Sequence, residues 1–220
     1  ANAALAATSC AVAAGGGIVY FPPSERSSTT WINYVIGHEI DLPDTNSAYV
    51  SWVLGASLLV NGTIHLKSYY SVIGQPGPGP AHTAPFGTDP VTYVSGKANP
   101  IFKAYSQHSI KLSHLLISTM DTDPNVDQTN IIFDGGNGGC TSIIFDQLSS
   151  MIGSVTGSPL AIRGGFGYTF TGGSFQGAES ASAQGGSVLF TTNTDGEKQL
   201  PYLVSMTGTT LLLQGLMVDG

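Results

Sequence analysis

The chain has 220 residues, of which 10% are charged and 41% hydrophobic, with 29 glycines and a formal net charge of −7. Seven Lys and Arg are too few for a nucleic-acid footprint or an anionic-membrane patch, so neither partner is expected. Low charge alone would suggest disorder, but β-branched and aromatic residues are plentiful enough to build a core.

Residues 1 to 14 are dominated by Ala, the best helix former. Gly15-Gly16-Gly17 then ends the predicted helix, because Gly tolerates the left-handed cap conformation. Ile18-Val19-Tyr20-Phe21 follows as a short β run, and Pro22-Pro23 stops it. The least polar stretch, Ala4 to Phe21, is broken by Thr8, Ser9 and three glycines and has no basic leader. Neither a membrane-spanning helix nor an intact signal peptide is expected there.

Beyond that point the sequence holds no apolar 3.6-residue pattern of helical length. Short β-rich runs recur instead between Gly, Ser, Thr, Asn and Asp, as at Ile64-His65-Leu66, Ile131-Ile132-Phe133 and Ile143-Ile144-Phe145. Three segments beginning at Pro100, Pro159 and Pro201 can be overlaid, 59 and 42 residues apart. Those offsets approach three and two times about 20 residues, a solenoid-like period. A β-solenoid explains the low charge, since lumen positions must be apolar and corners favour Gly, Asn and Ser. A β-sandwich with coincidental spacing is the competing reading.

The opening AALAATSCAVAAGGGIVYFPP, residues 3 to 23, resembles the pectate-lyase-like right-handed parallel β-helix superfamily. So do LLVNGTIHLKSYYSVIGQPG, residues 58 to 77, and PIFKAYSQHSIKLSHLLIS from Pro100. The resemblance implies an all-β right-handed parallel β-helix with an N-terminal capping α-helix. It implies one domain over 1–220, with the capping helix and turn at 1–17 and coils at 58–220; an aromatic insertion at 24–57 is expected as a departure from the family's pattern. Members include polysaccharide lyases, glycoside hydrolases, tailspike depolymerases and non-catalytic adhesins. The implied partner is therefore a polysaccharide and the implied setting extracellular, a virion surface included. The alternative is a non-catalytic structural or adhesive module. The sequence stops at Leu216-Met217-Val218-Asp219-Gly220, within an apparent coil. A continuation of the chain, or a second copy in a homo-oligomer, is expected to cover that coil.

Several motifs carry candidate chemistry. Asn193-Thr194-Asp195-Gly196 matches the polygalacturonase tetrad whose Asp is catalytic, although the Asp pair and Gly-His-Gly that follow in that family are missing here. Asn-Thr-Asp-Gly is equally a common turn composition. Glycoside hydrolysis needs two carboxylates, so Asp134, Asp146, Glu179 and Asp219 are further acid/base candidates. Asp134 and Asp146 each end a repeated Ile-Ile-Phe-Asp and read equally well as turn caps. In pectate lyases an Arg or Lys is the base, which makes Arg163 the coil candidate. Asp121, Asp123, Asn125 and Asp127 are spaced two apart as in calcium loops, making Ca2+ the one candidate cofactor. Val126 and Ile132, however, stand where an EF-hand needs Gly and Glu.

Trp31, Tyr34, Tyr49 and Trp52 within 24–57 form a candidate carbohydrate platform, because flat rings stack on sugars. Packing of the insertion onto the helix, or onto a partner subunit, is the equal alternative. Asn61-Gly62-Thr63 is a glycosylation sequon. Cys10 and Cys140 are either a disulfide tying the cap to a coil or two free thiols.

Overall fold

The computed structural model describes residues 2–23, 34–75, 92–119, 127–152, 157–177, 186–195, 198–212 and 216–219. After the helix Asn2–Ala13, the described residues form three parallel sheets of seven strands each, and the chain visits them in strict rotation. The first sheet holds Gly17–Phe21, Val50–Leu54, Tyr70–Gly74, His108–Ser113, Thr141–Asp146, Phe166–Thr171 and Tyr202–Thr207. The second holds Tyr34–Ile36, Leu58–Val60, Thr92–Gly96, Leu115–Thr119, Ser149–Met151, Ser174–Gln176 and Thr210–Leu212. The third holds Ile40–Asp41, Ile64–His65, Phe102–Tyr105, Ile131–Asp134, Leu160–Arg163, Val188–Thr191 and Leu216–Asp219. This is a right-handed parallel β-helix, the hand that twisted parallel strands favour in their crossovers.

Alternation within each short strand sends every second side chain into the lumen, and the register stacks those residues into columns. In the first sheet Val19, Trp52, Val72, Leu112, Phe145, Phe170 and Met206 follow one another along the axis. Aromatic rings meet along and across the columns, Phe145 and Phe170 at 4.6 Å and Phe133 and Phe145 edge-on at 5.4 Å. The turn from first to second sheet starts with a left-handed residue at His114, Gln147, Gly172 and Gly208. The N–H groups of His114, Gln147 and Gly172 donate to the last strand carbonyl of the next coil, so these corners stack as the strands do.

The N-terminal helix closes one end of the lumen. Thr8, its one buried residue, donates to the Ala4 carbonyl at 2.6 Å and accepts the Trp52 indole N–H at 2.9 Å. Gly16 has φ +120, and a Cβ there would lie 2.7 Å from the Tyr49 carbonyl oxygen. The glycine run is therefore required where the helix turns into the first strand.

Three expectations are revised by the register. Tyr34–Ile36, Ile40–Asp41 and Val50–Leu54 are ordinary members of the three sheets. The described part of 24–57 is thus a coil and not an insertion. A 20-residue coil exists, from Val50 to Tyr70, but the step from Ser71 to Lys111 is 40 residues. The Pro100 and Pro159 segments both enter the third sheet, with Phe102, Ile131 and Leu160 in register, so they lie two coils apart and not three. The Pro201 segment enters the first sheet, where Tyr202 pairs with Phe166, one strand out of phase with the other two.

Candidate functional site: the corner between the third and first sheets

The third-sheet strands end in a row. Tyr105, Asp134, Arg163, Thr191 and Asp219 pair with one another in that order along the axis. Asp134 is buried, yet its carboxylate is fully engaged. It accepts the Gly136 N–H at 3.0 Å, the Thr194 N–H at 3.2 Å and the Thr194 hydroxyl at 2.8 Å, and Arg163 Nη1 stands 3.8 Å away. The lone pairs of this carboxylate are thus turned to the protein's own donors and not to solvent.

The Asn193-Thr194-Asp195 turn folds back over this carboxylate. Buried Asn193 donates from Nδ2 to the Gly136 carbonyl at 2.7 Å and to the Asp195 carbonyl, and its Oδ1 accepts the Gln199 N–H at 2.8 Å. Lys198 Nζ closes the loop by donating to the Asn193 carbonyl at 3.1 Å and to the Thr194 carbonyl. Asp195 is exposed, and its Oδ2 accepts the Tyr105 hydroxyl. That hydrogen bond, with smaller contributions from burial and the Asp195 and Asp134 charges, raises the Tyr105 phenol above its ordinary range. Behind the row, Tyr168 donates to the Gly164 carbonyl at 2.8 Å, and burial pushes its phenol up. Burial likewise pushes the Cys140 thiol up to about 11, and Cys140 Sγ donates to the Asp134 carbonyl at 3.1 Å.

The other side of this corner is aromatic. Ser109, Ser142, Gly167 and Leu203 occupy one register position of the first sheet, and all are left-handed, with φ 55, 56, 73 and 53. In a regular strand residues i and i+2 share a face. Here the left-handed residue rotates the chain between them, so Tyr168 is buried while Phe166 is 38% exposed. His108, Thr141, Phe166 and Tyr202, which precede these residues, form one row at the outer edge of the sheet. Tyr69, itself left-handed at φ 65, stands at the register position of Ser109, so it and Tyr49 continue the row toward the N-terminal end by ring contact and not by register. Tyr49 meets Tyr69 edge-on at 5.1 Å, Tyr69 meets His108 edge-on at 4.7 Å, and Phe166 stacks on Tyr202 at 5.2 Å. Tyr49 and Tyr202 are 64% and 49% exposed. An aromatic column thus runs parallel to the axis beside the Tyr105–Asp195 pair.

The sequence candidates are distributed unevenly over this site. Asp134, Arg163 and Asp195 come together at the corner, joined by Tyr105. Asp146 sits at the far end of the first-sheet strands, paired with Lys111 at 2.9 Å and with the Ser113 hydroxyl at 3.4 Å. Asp219 is exposed in the corner row. It lies four ladder steps from Tyr105, on the order of 19 Å.

Of the aromatic candidates among the described residues, only Tyr49 is exposed. Trp52 is 0% exposed and packs on Phe21 at 5.1 Å, which removes it from any sugar platform. Tyr34 turns its ring edge-on to Phe21 at 5.4 Å and packs against the core. The disulfide is not formed: Cys10 is an exposed free thiol on the helix and Cys140 a buried one. Asn61 is exposed, with its N–H on the Ile36 carbonyl at 2.8 Å, and Thr63 of the sequon donates its hydroxyl to the Pro100 carbonyl at 2.8 Å. The Asp127 carbonyl accepts Asn99 Nδ2 at 2.6 Å. Trp31, Asp121, Asp123, Asn125 and Glu179 lie outside the described residues. Sequence reasoning missed Tyr69, Tyr105, His108, Phe166 and Tyr202. Their one shared signal is position, each at the start or end of a short β run, and it acquires meaning only once the coils are in register.

No protein-family model, no curated protein and no solved structure matches this chain.

Proposed function

We propose that the chain is a polysaccharide-binding β-helix, a distant member of the pectate-lyase-like superfamily, acting outside the cell and holding its glycan along the corner between the third and first sheets. The observation that carries this reading is the aromatic column, with Tyr49, Phe166 and Tyr202 exposed and Tyr69 and His108 half-buried, beside the exposed Asp195 carboxylate. Amphipathic rings flanked by polar acceptors suit the apolar faces and hydroxyl rims of sugars. Binding is favoured over cleavage because Asp134, the carboxylate held under the Asn193-Thr194-Asp195 turn, is spent on the protein's own donors and is not free to act as the second acid that hydrolysis needs.

The test is a panel of neutral and acidic polysaccharides, assayed for binding and for new reducing ends and unsaturated uronates. Calcium is included and omitted in parallel, because 121–127 is the candidate cation loop. Retention on at least one polysaccharide without new ends is the expected result, with binding weakened several-fold by Asp195→Ala. New reducing ends lost in Asp195→Ala would instead make Asp195 catalytic. No binding to any polysaccharide would leave the structural or adhesive module as the function, a role the saturated Asp134 and buried Trp52 already suit.

A further inference from the structure

The charges around the aromatic column bear on what kind of glycan it takes, an inference that rests on the polysaccharide reading above. Arg163 faces Asp134, and Lys198 is spent on the Asn193 and Thr194 carbonyls. These two cations beside the 193–195 turn therefore already have partners, while Asp195 presents a negative charge to solvent. The chain as a whole carries a formal charge of −7. A polyuronate or sulfated chain laid over Asp195 would meet repulsion there and would reach Arg163 or Lys198 only by breaking one of those contacts.

The column also has a direction. Its members step along the axis by one ladder spacing, about 4.8 Å, close to the advance of one pyranose unit in an extended chain. Tyr49, Tyr69 and His108 are consecutive members, and Phe166 and Tyr202 are consecutive after Thr141. From His108 to Tyr202 the row is set by the left-handed positions that stack coil upon coil, so that part of its geometry is built into the backbone. We propose that this column, Tyr49, Tyr69, His108, Phe166 and Tyr202, binds an uncharged polysaccharide lying parallel to the solenoid axis, with Asp195 and the Tyr105 hydroxyl taking its hydroxyl groups from the side.

The test uses the 220-residue chain in affinity electrophoresis and calorimetry. The probes are a soluble neutral glucan, a galactomannan and polygalacturonate, each at low and high salt. The variants are Phe166→Ala, Tyr202→Ala, their double, and Val35→Ser, an exposed residue on the outer face of the second sheet. Thermal unfolding of each variant separates lost binding from lost fold. The expected result is binding to a neutral chain that is insensitive to salt. Each single ring removed weakens it about two- to tenfold, the double more, and Val35→Ser leaves it unchanged. Binding to a neutral chain that survives the double variant overturns the column and leaves the polysaccharide reading standing. Preference for polygalacturonate, weakened by salt, overturns the uncharged-ligand inference in the same way. Wild-type failure on every probe overturns both.

Discussion

Trp52→Ala lowers the stability of the folded chain by about 3–5 kcal/mol, the range for deleting a fully buried large aromatic. Trp52 occupies the lumen column between Val19 and Val72 and is 0% exposed. Alanine leaves a cavity under the capping helix and removes the donor to Thr8 that fastens that helix. The effect has two parts that a second variant separates. Thr8→Val keeps the indole but leaves its N–H buried without an acceptor, at a cost of about 1–3 kcal/mol. Urea titrations followed by far-UV circular dichroism check both. A Trp52→Ala loss below about 1 kcal/mol would mean that the cap is not seated as described.

Asp134→Ala has the second largest expected effect, about 2–3 kcal/mol, and it also reaches the binding surface. The carboxylate collects three hydrogen bonds and faces a guanidinium in a buried position, so truncation strands a charge and several donors. Water repairs some of that loss, because Thr194 is exposed. Asp134→Asn does not rescue the site, since its amide brings two more donors to a place where donors already converge. Asp134 acts as a positioning residue for the 193–195 turn. Both variants therefore weaken glycan binding, although Asp134 itself faces the protein. Denaturant midpoints and glycan affinity, measured on the same samples, check this. Unchanged affinity in a destabilised Asp134→Ala chain would show that the turn is held by Asn193 and Lys198 alone.

These two residues also show where the sequence was readable. The fold class was legible because apolar runs of strand length, separated by corner residues and preceded by an Ala-rich helix and three glycines, leave few alternatives to a capped solenoid. The coil period was not. Loops of unequal length enter at the corners, so steps of 20 and 40 residues occur in one sheet and a fixed period misphases Pro201 by a strand. Trp52 was open between platform and packing until its register was known, because alternation decides burial and a shift by one residue reverses it.

At the site, Asn193-Thr194-Asp195 was recognisable as a turn bearing a carboxylate, and the structure adds what the turn sits on. Asp134 looked like an ordinary end-of-strand Asp. Its engagement with Thr194, 60 residues later, is a long-range contact that no local pattern encodes. The aromatic column was hidden for a different reason. Strand alternation predicts that Phe166 and Tyr168 share a face, and the left-handed residue between them breaks that rule. At Gly167 the exception has a sequence signal. At Ser109, Ser142 and Leu203 it has none, since neighbouring coils impose the conformation.

The central claim is that glycan lies along the corner between the third and first sheets. Hydrogen exchange read by mass spectrometry, with and without a bound neutral polysaccharide, tests it most directly. The account predicts slowed exchange in peptides covering 105–109, 163–168 and 193–203, with the second-sheet strands unchanged. Slowed exchange confined to the second sheet, or spread evenly over all three, would contradict it.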